Sequence, residues 1–162
     1  MRVGRRTVRA MTTTAQTARD LQNESLDQRI TFEDGLVGCH DWKHFQVIVD
    51  GDAELPVIVL QSLDDPTVSL LVTDPTFLTP TYEVRLTADD RADLGLYDNA
   101  RPTVFCTLST GHDGWLTANL LGPLVVNPQT RRAKQIVLAD PTYSTRYPIA
   151  QLATDRGDAC SS

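Results

Sequence analysis

The chain has 162 residues and a mass of 17.9 kDa, one domain's worth of sequence. Hydrophobic residues make up 41% and charged residues 22%, which excludes a wholly disordered chain, and apolar runs such as Pro56 to Leu60 fall far short of the ~20 residues that span a bilayer. The 15 Lys and Arg face 21 Asp and Glu; Arg2, Arg5, Arg6 and Arg9 stand in the first ten residues with no acid beside them, so residues 11 to 162 carry 11 basic and 21 acidic groups, a net of −10. A body of that sign repels a phosphate backbone, speaks against direct nucleic-acid binding, and favours a basic partner steered by long-range field.

Residues 1–28 read as a disordered or mis-started tail. Thr12 to Thr17 is small and polar, Arg5-Arg6 lacks the apolar stretch of an export signal, and Met11 serves as well as Met1 for a start. From about 29 to 150 the chain alternates in strand fashion. Ile30 and Phe32 share a face before the Asp34-Gly35 turn. Phe45, Val47 and Val49 form the next strand. Cys39 to His44 is short enough for one helical turn between them. Val57 to Leu60 is apolar throughout, which predicts a strand covered on both sides. Ser62 to Pro66 is a turn, and Val68, Leu70 and Val72 follow until Asp74-Pro75 breaks the strand.

Tyr82, Val84 and Leu86 alternate with Glu83 and Arg85, which predicts another strand. Thr87 as N-cap, Asp89 and Asp90 in the first turn and Gly95 as terminator predict a helix over 88–94. Thr103 to Ser109, Trp115 to Ala118, Leu124 to Val126 and Ala133 to Leu138 supply the remaining strands. Residues 151–162 read as a second tail. Many short strands with one or two short helices indicate an all-β, mainly antiparallel, small barrel-like domain.

The search for chemistry is mostly empty. The cysteines Cys39, Cys106 and Cys160 are odd in number and form no CxxC pair, so no disulfide framework is implied; Cys106, inside Val104 to Leu108, reads as a small buried thiol. Cys39-His40-Asp41 are consecutive, and consecutive side chains diverge. His40 and His44 share a metal only if their segment is helical, and no third ligand accompanies them. His112 lies in a Gly-flanked polar loop. Trp42 and Trp115 read as core or rim aromatics. No GxSxG, GxGxxG or phosphate-binding loop occurs, so the residues argue for no catalytic group, metal or cofactor. The rival to a binding protein is a small-ligand barrel, or an enzyme built on one, using Cys39, His40 and His112 at the barrel mouth.

The unusual feature is a set of polar residues inside apolar stretches: Gln61-Ser62, Asn119, Asn127 and Gln135. Buried amides left unpaired cost about 1–3 kcal/mol each, so these residues either pin loops and strand ends or edge a docking surface. Their order resembles the flagellar assembly factor FliW family. The resemblance runs from about 30 to 149: Phe32, Gly35 to Gly38 and the Phe45 strand; Leu60 to Asp65; Asp74-Pro75 and Tyr82; then Thr117 to Pro123, with Asn127, Gln135, Tyr143 and Arg146 in order. Gly35, Gly38, Leu120, Pro123, Gln135 and Tyr143 are its structural positions. This chain departs from the pattern at Cys39-His40, at Gly122 and at Lys134, where the family usually has Phe-Glu, Ala and Gly.

The resemblance implies a cytoplasmic, non-enzymatic regulator that is a monomer on its own. It implies two partners, the translational repressor CsrA, whose repression of flagellin mRNA is relieved, and flagellin itself. On that reading the partner-facing surface lies near Gln61, Ser62, Asp64, Asp65, Asn119 and Asn127, with Asp64 and Asp65 acting through charge and Asn119 as an architectural residue.

Overall fold

A computed structural model describes residues 29–49 and 56–152; the two expected tails lie outside the described residues, apart from Gln151, which ends the last strand, and Leu152. Strand β1 (Arg29–Phe32) turns Ile30 and Phe32 inwards and leaves Arg29 exposed. It pairs antiparallel with β2 (His44–Val49), which pairs with β3 (Ile58–Ser62), and β3 with β4 (Ser69–Thr73). The antiparallel order continues through β5 (Thr103–Thr110), β6 (Trp115–Val126) and β7 (Arg132–Gln135). Strand β7 then returns to β1 in parallel, with Thr31 opposite Arg132 and Phe32 opposite Ala133. Seven strands therefore close a mixed barrel, and closure removes the free sheet edges that invite unwanted pairing. An eighth, β8 (Tyr147–Gln151), lies outside the ring on the first part of β6.

Alternation decides what fills the barrel. Val47 stands opposite Leu60 and Ile58 opposite Val72, all turned inwards. They meet Phe105, Leu124, Val126 and an edge-on pair, Phe32 and Phe45, whose ring centroids are 5.6 Å apart. Fully burying side chains of this size stabilises by about 1.5–3 kcal/mol each before ordering costs. Leu71 opposes Leu108 on the outer face. There Cys106, Leu108, Ala118 and Leu120 form a second apolar layer, covered by Tyr82, Tyr143 and Tyr147. A third layer, Leu94, Leu96, Val125 and Ile136, sits beneath the one α-helix among the described residues, α1 (Ala88–Leu94).

The helix forms where its local signals place it. The Thr87 hydroxyl accepts from Asp90 N and the Asp90 carboxylate accepts from Thr87 N, both at 3.1 Å. Gly95 ends it in the left-handed region at φ 68°. A 3₁₀ turn at Pro75–Phe77, capped by Asp74, follows the break at the end of β4.

Several sequence expectations are corrected. Tyr82 to Leu86 belongs to no strand, because its alternation reflects burial on two apolar layers rather than ladder pairing. Trp115 to Val126 is one strand instead of two. Between the pairs Thr107↔Asn119 and Phe105↔Leu124, β5 supplies only Cys106 while β6 supplies residues 120–123. The irregularity absorbs Gly122 and Pro123 without ending the strand. Strand β7 stops at Gln135 rather than Leu138. Val59 is half-buried on the outer face, so β3 is covered mainly on one side. The Cys39 to His44 segment holds one turn, with Trp42 N donating to Cys39 O at 3.1 Å, but His44 already begins β2.

Candidate partner-binding site

The loop between β3 and β4 is built from its own polar groups. Ser62 is buried, and its hydroxyl accepts from Asp64 N at 3.2 Å and Asp65 N at 3.0 Å. Gln61 donates its amide to Val68 O at 3.0 Å and Pro66 O at 3.1 Å, closing the loop from the other side. Asp65 accepts from both the backbone and the hydroxyl of Thr67, which holds its carboxyl below the usual carboxylate range. Asp64 reaches across to β2. It accepts from His44 N at 2.8 Å, from the His44 ring at 3.0 Å and from Lys43 N at 2.7 Å. These donors, the backbone amide of His44 first, lower its pKa to about 2. A fixed carboxylate therefore stands at the rim beside Leu63, which is 47% exposed.

The other embedded amides work inward. Asn127 is only 2% exposed; it donates to Leu94 O at 2.8 Å and Gly95 O at 3.2 Å, and its carbonyl accepts from Gln129 N. It ties the end of α1 to the barrel and presents no side chain to a partner. Asn119 is half-buried, and its carbonyl accepts from Leu121 N and Gly122 N at 3.1 and 2.9 Å inside the β6 irregularity. Gln135 bridges two segments, donating to Gly122 O at 3.1 Å and accepting from Val37 N at 2.8 Å. Val37 sits in the tight turn of Gly35 and Gly38, where Leu36 and Cys39 exchange backbone hydrogen bonds. Gly35 is at φ +70°, and a Cβ there would collide with the His40 backbone carbonyl.

Leu120 and Pro123 are buried in the same irregularity. The Tyr82 hydroxyl donates to Leu120 O at 2.6 Å, and the Tyr143 ring packs on Tyr82 at 4.7 Å. The structure thus brings Asn119, Gly122, Gln135 and Tyr82 together, and keeps Gln61, Ser62, Asp64 and Asp65 together elsewhere.

The rival residues are not assembled. Cys39 packs against the barrel interior, His40 approaches Asp34 O at 3.3 Å, and His112 is exposed in the β5–β6 turn. His44 starts a strand, so its helical spacing from His40 does not exist. Among the described residues no three His, Cys, Asp or Glu side chains are placed to hold a metal ion. Cys106 is fully buried and its thiol is pushed up to about 12, chiefly by burial, as a packing residue's would be. Trp42 packs on the barrel interior and Trp115 sits at the rim, 38% exposed.

Two features escaped the sequence reading. Lys134 donates to Asp90 and Asp93, both at 2.8 Å, clamping α1 to β7; its pKa is raised, first by the hydrogen bond to Asp90. The Asp90 and Asp93 pair three residues apart on the helix was the available signal. The donors to Asp64, lying 20 and 21 residues upstream, left none.

Comparison with known proteins places the chain. The family model described as "FliW protein" matches residues 10–149. Flagellar assembly factor FliW of Lachnospira eligens is 34% identical over 135 residues, spanning 77% of this chain and 85% of that protein. That of Treponema pallidum is 35% identical over 140 residues, covering 83% and 89%, and that of Bacillus subtilis is 33% identical over 136, covering 83% and 90%. A crystal structure of the flagellar assembly factor FliW superposes with a TM-score of 0.66 at 28% identity, over 75% of this chain and 84% of the other. A closed seven-stranded barrel with an amide-pinned β6, matched over nearly its full length by that model and these relatives, belongs to the FliW family.

Proposed function

We propose that this protein is a flagellar assembly factor that acts by binding other proteins and turns over no substrate. It binds CsrA and lifts that repressor from flagellin mRNA, and it binds flagellin, so that the two partners compete. The family match over residues 10–149 carries this reading. To relieve repression, the protein must prefer the form of CsrA that does not hold RNA, since equal affinity for both forms shifts nothing. Support for a basic partner comes from the rim loop, where Leu63 stands beside Asp64 and Asp65, two carboxylates held ionised by internal donors. No helix among the described residues is long and apolar enough to cross a membrane.

The test uses purified components from the same organism. Size-exclusion and calorimetric titration with CsrA and with flagellin should give a complex with each, and flagellin should displace CsrA. No complex with either at low ionic strength overturns the proposal. Within the loop, Leu63→Ala with Asp65→Lys should slow association with CsrA and flatten its salt dependence while leaving the fold intact.

A further inference from the structure

A groove of about 550 Å³ runs between two segments that belong to no strand, a size within the range of ordinary binding clefts. One wall carries Glu83 and Arg85, the other Ile136 to Leu138, with Asp140 and Tyr143 also lining the groove. Both walls alternate in burial. Val84 and Leu86 pack downward while Glu83 and Arg85 are exposed; Ile136 and Leu138 pack downward while Val137 is 66% exposed.

The backbones are what single this place out. Ile136 N donates to Pro123 O and Leu138 N to Leu121 O, so this segment continues the pairing of β7 with β6. The N–H and C=O of Val137 then point away from β6, toward the groove. Among the described residues, no hydrogen bond reaches the backbone N–H of Val137, Glu83, Val84, Arg85 or Leu86. Two period-two segments thus face one another without pairing, and an open row of backbone groups is a template for an added strand.

We propose that this groove receives an extended segment of a protein partner, paired in β fashion with the Val137 edge. Its side chains carry a base and an acid two positions apart. Glu83 and Arg85 project from one face two residues apart, so a strand lying beside them sets its Lys or Arg against Glu83, with Asp140 reinforcing, and its Asp or Glu against Arg85. Apolar residues between them point to the opposite face, onto Val84, Leu86, Ile136 and Leu138. The proposal rests on the protein-binding reading above, but it uses no residue of the 61–65 loop.

The experiment titrates the full chain with synthetic decapeptides carrying valine at alternate positions and lysine, glutamate and threonine permuted between them. Amide hydrogen exchange reads the result. Expected is slowed exchange at Val137 by a lysine–valine–glutamate peptide. The double variant Glu83→Lys, Arg85→Glu, both exposed, should weaken that peptide about tenfold, and the peptide with lysine and glutamate exchanged should restore binding. Binding that ignores the charge order, or protection elsewhere, overturns the proposal, as does failure of every peptide to bind. Protection already present in the free chain overturns it too: independent of concentration it means the chain's own segment fills the groove, and rising with concentration it means a second copy. Titration with CsrA and flagellin remains the separate test of the family reading.

Discussion

Two regions of this barrel solve the same problem with different chemistry. In the β6 irregularity, the neutral carbonyl of Asn119 collects the consecutive N–H groups of Leu121 and Gly122. At the rim, the carboxylate of Asp64 collects those of Lys43 and His44. The first is half-buried beside apolar layers, where an ion would be costly to desolvate. The second stands in solvent, where charge costs little and strengthens each hydrogen bond. The first region should therefore be indifferent to pH and costlier to truncate, while the second titrates.

Breaking the inner region should cost most. Asn127→Ala leaves the carbonyls of Leu94 and Gly95 short of a donor in a site 2% exposed. Denaturant titration should show a loss of about 2–3 kcal/mol, with Thr130, which also donates to Leu94 O, limiting the damage. Asn119→Ala should cost about 1–2 kcal/mol by the same measurement. A melting curve unaltered in either variant would remove the contrast. Lys134→Met separates α1 from β7 by deleting both ion pairs, and since Lys134 is 26% exposed the loss should be about 1 kcal/mol and shrink in high salt.

The rim sharpens the comparison through acid. The folded pKa of Asp64 lies near 2, below the ordinary aspartate value of about 3.9. Its contribution is complete above about pH 4 and is lost as pH falls through 2. Asp65, Asp90 and Asp140 are lowered as well, so the difference between wild type and Asp64→Asn isolates this residue. Unfolding midpoints of the two proteins should converge between pH 4 and pH 2, and a constant gap would show that Asp64 does not titrate with the fold.

Much of the architecture was legible in residues one turn or one strand apart. Thr87, Asp90 and Gly95 defined α1 to the residue, because a capping box and a left-handed glycine are local devices. Ile30, Phe32, Phe45 and Val47 announced the interior by alternation. What depended on distant partners was not legible. Tyr82 to Leu86 has the same period as a strand and no neighbour to pair with. Strand β8 was hidden by Pro148, which pairs across from Thr117 at a register shift. Of the site, the grouping of Gln61, Ser62, Asp64 and Asp65 was readable because sequence holds them together. The inward role of Asn127 was not, since Leu94 and Gly95 lie more than 30 residues away.

The parallel seam between β1 and β7 has a consequence for synthesis. Thr31 meets Arg132 and Phe32 meets Ala133, so the first described strand waits for one translated about a hundred residues later. Until the ribosome has released residue 135, the nascent chain is an open sheet with Phe32 and Phe45 unsheltered on one side. Ring closure is thus a late event and a slow one, as pairings of long sequence separation are. A chain truncated before Arg132 would hold most of its strands and still lack an inside.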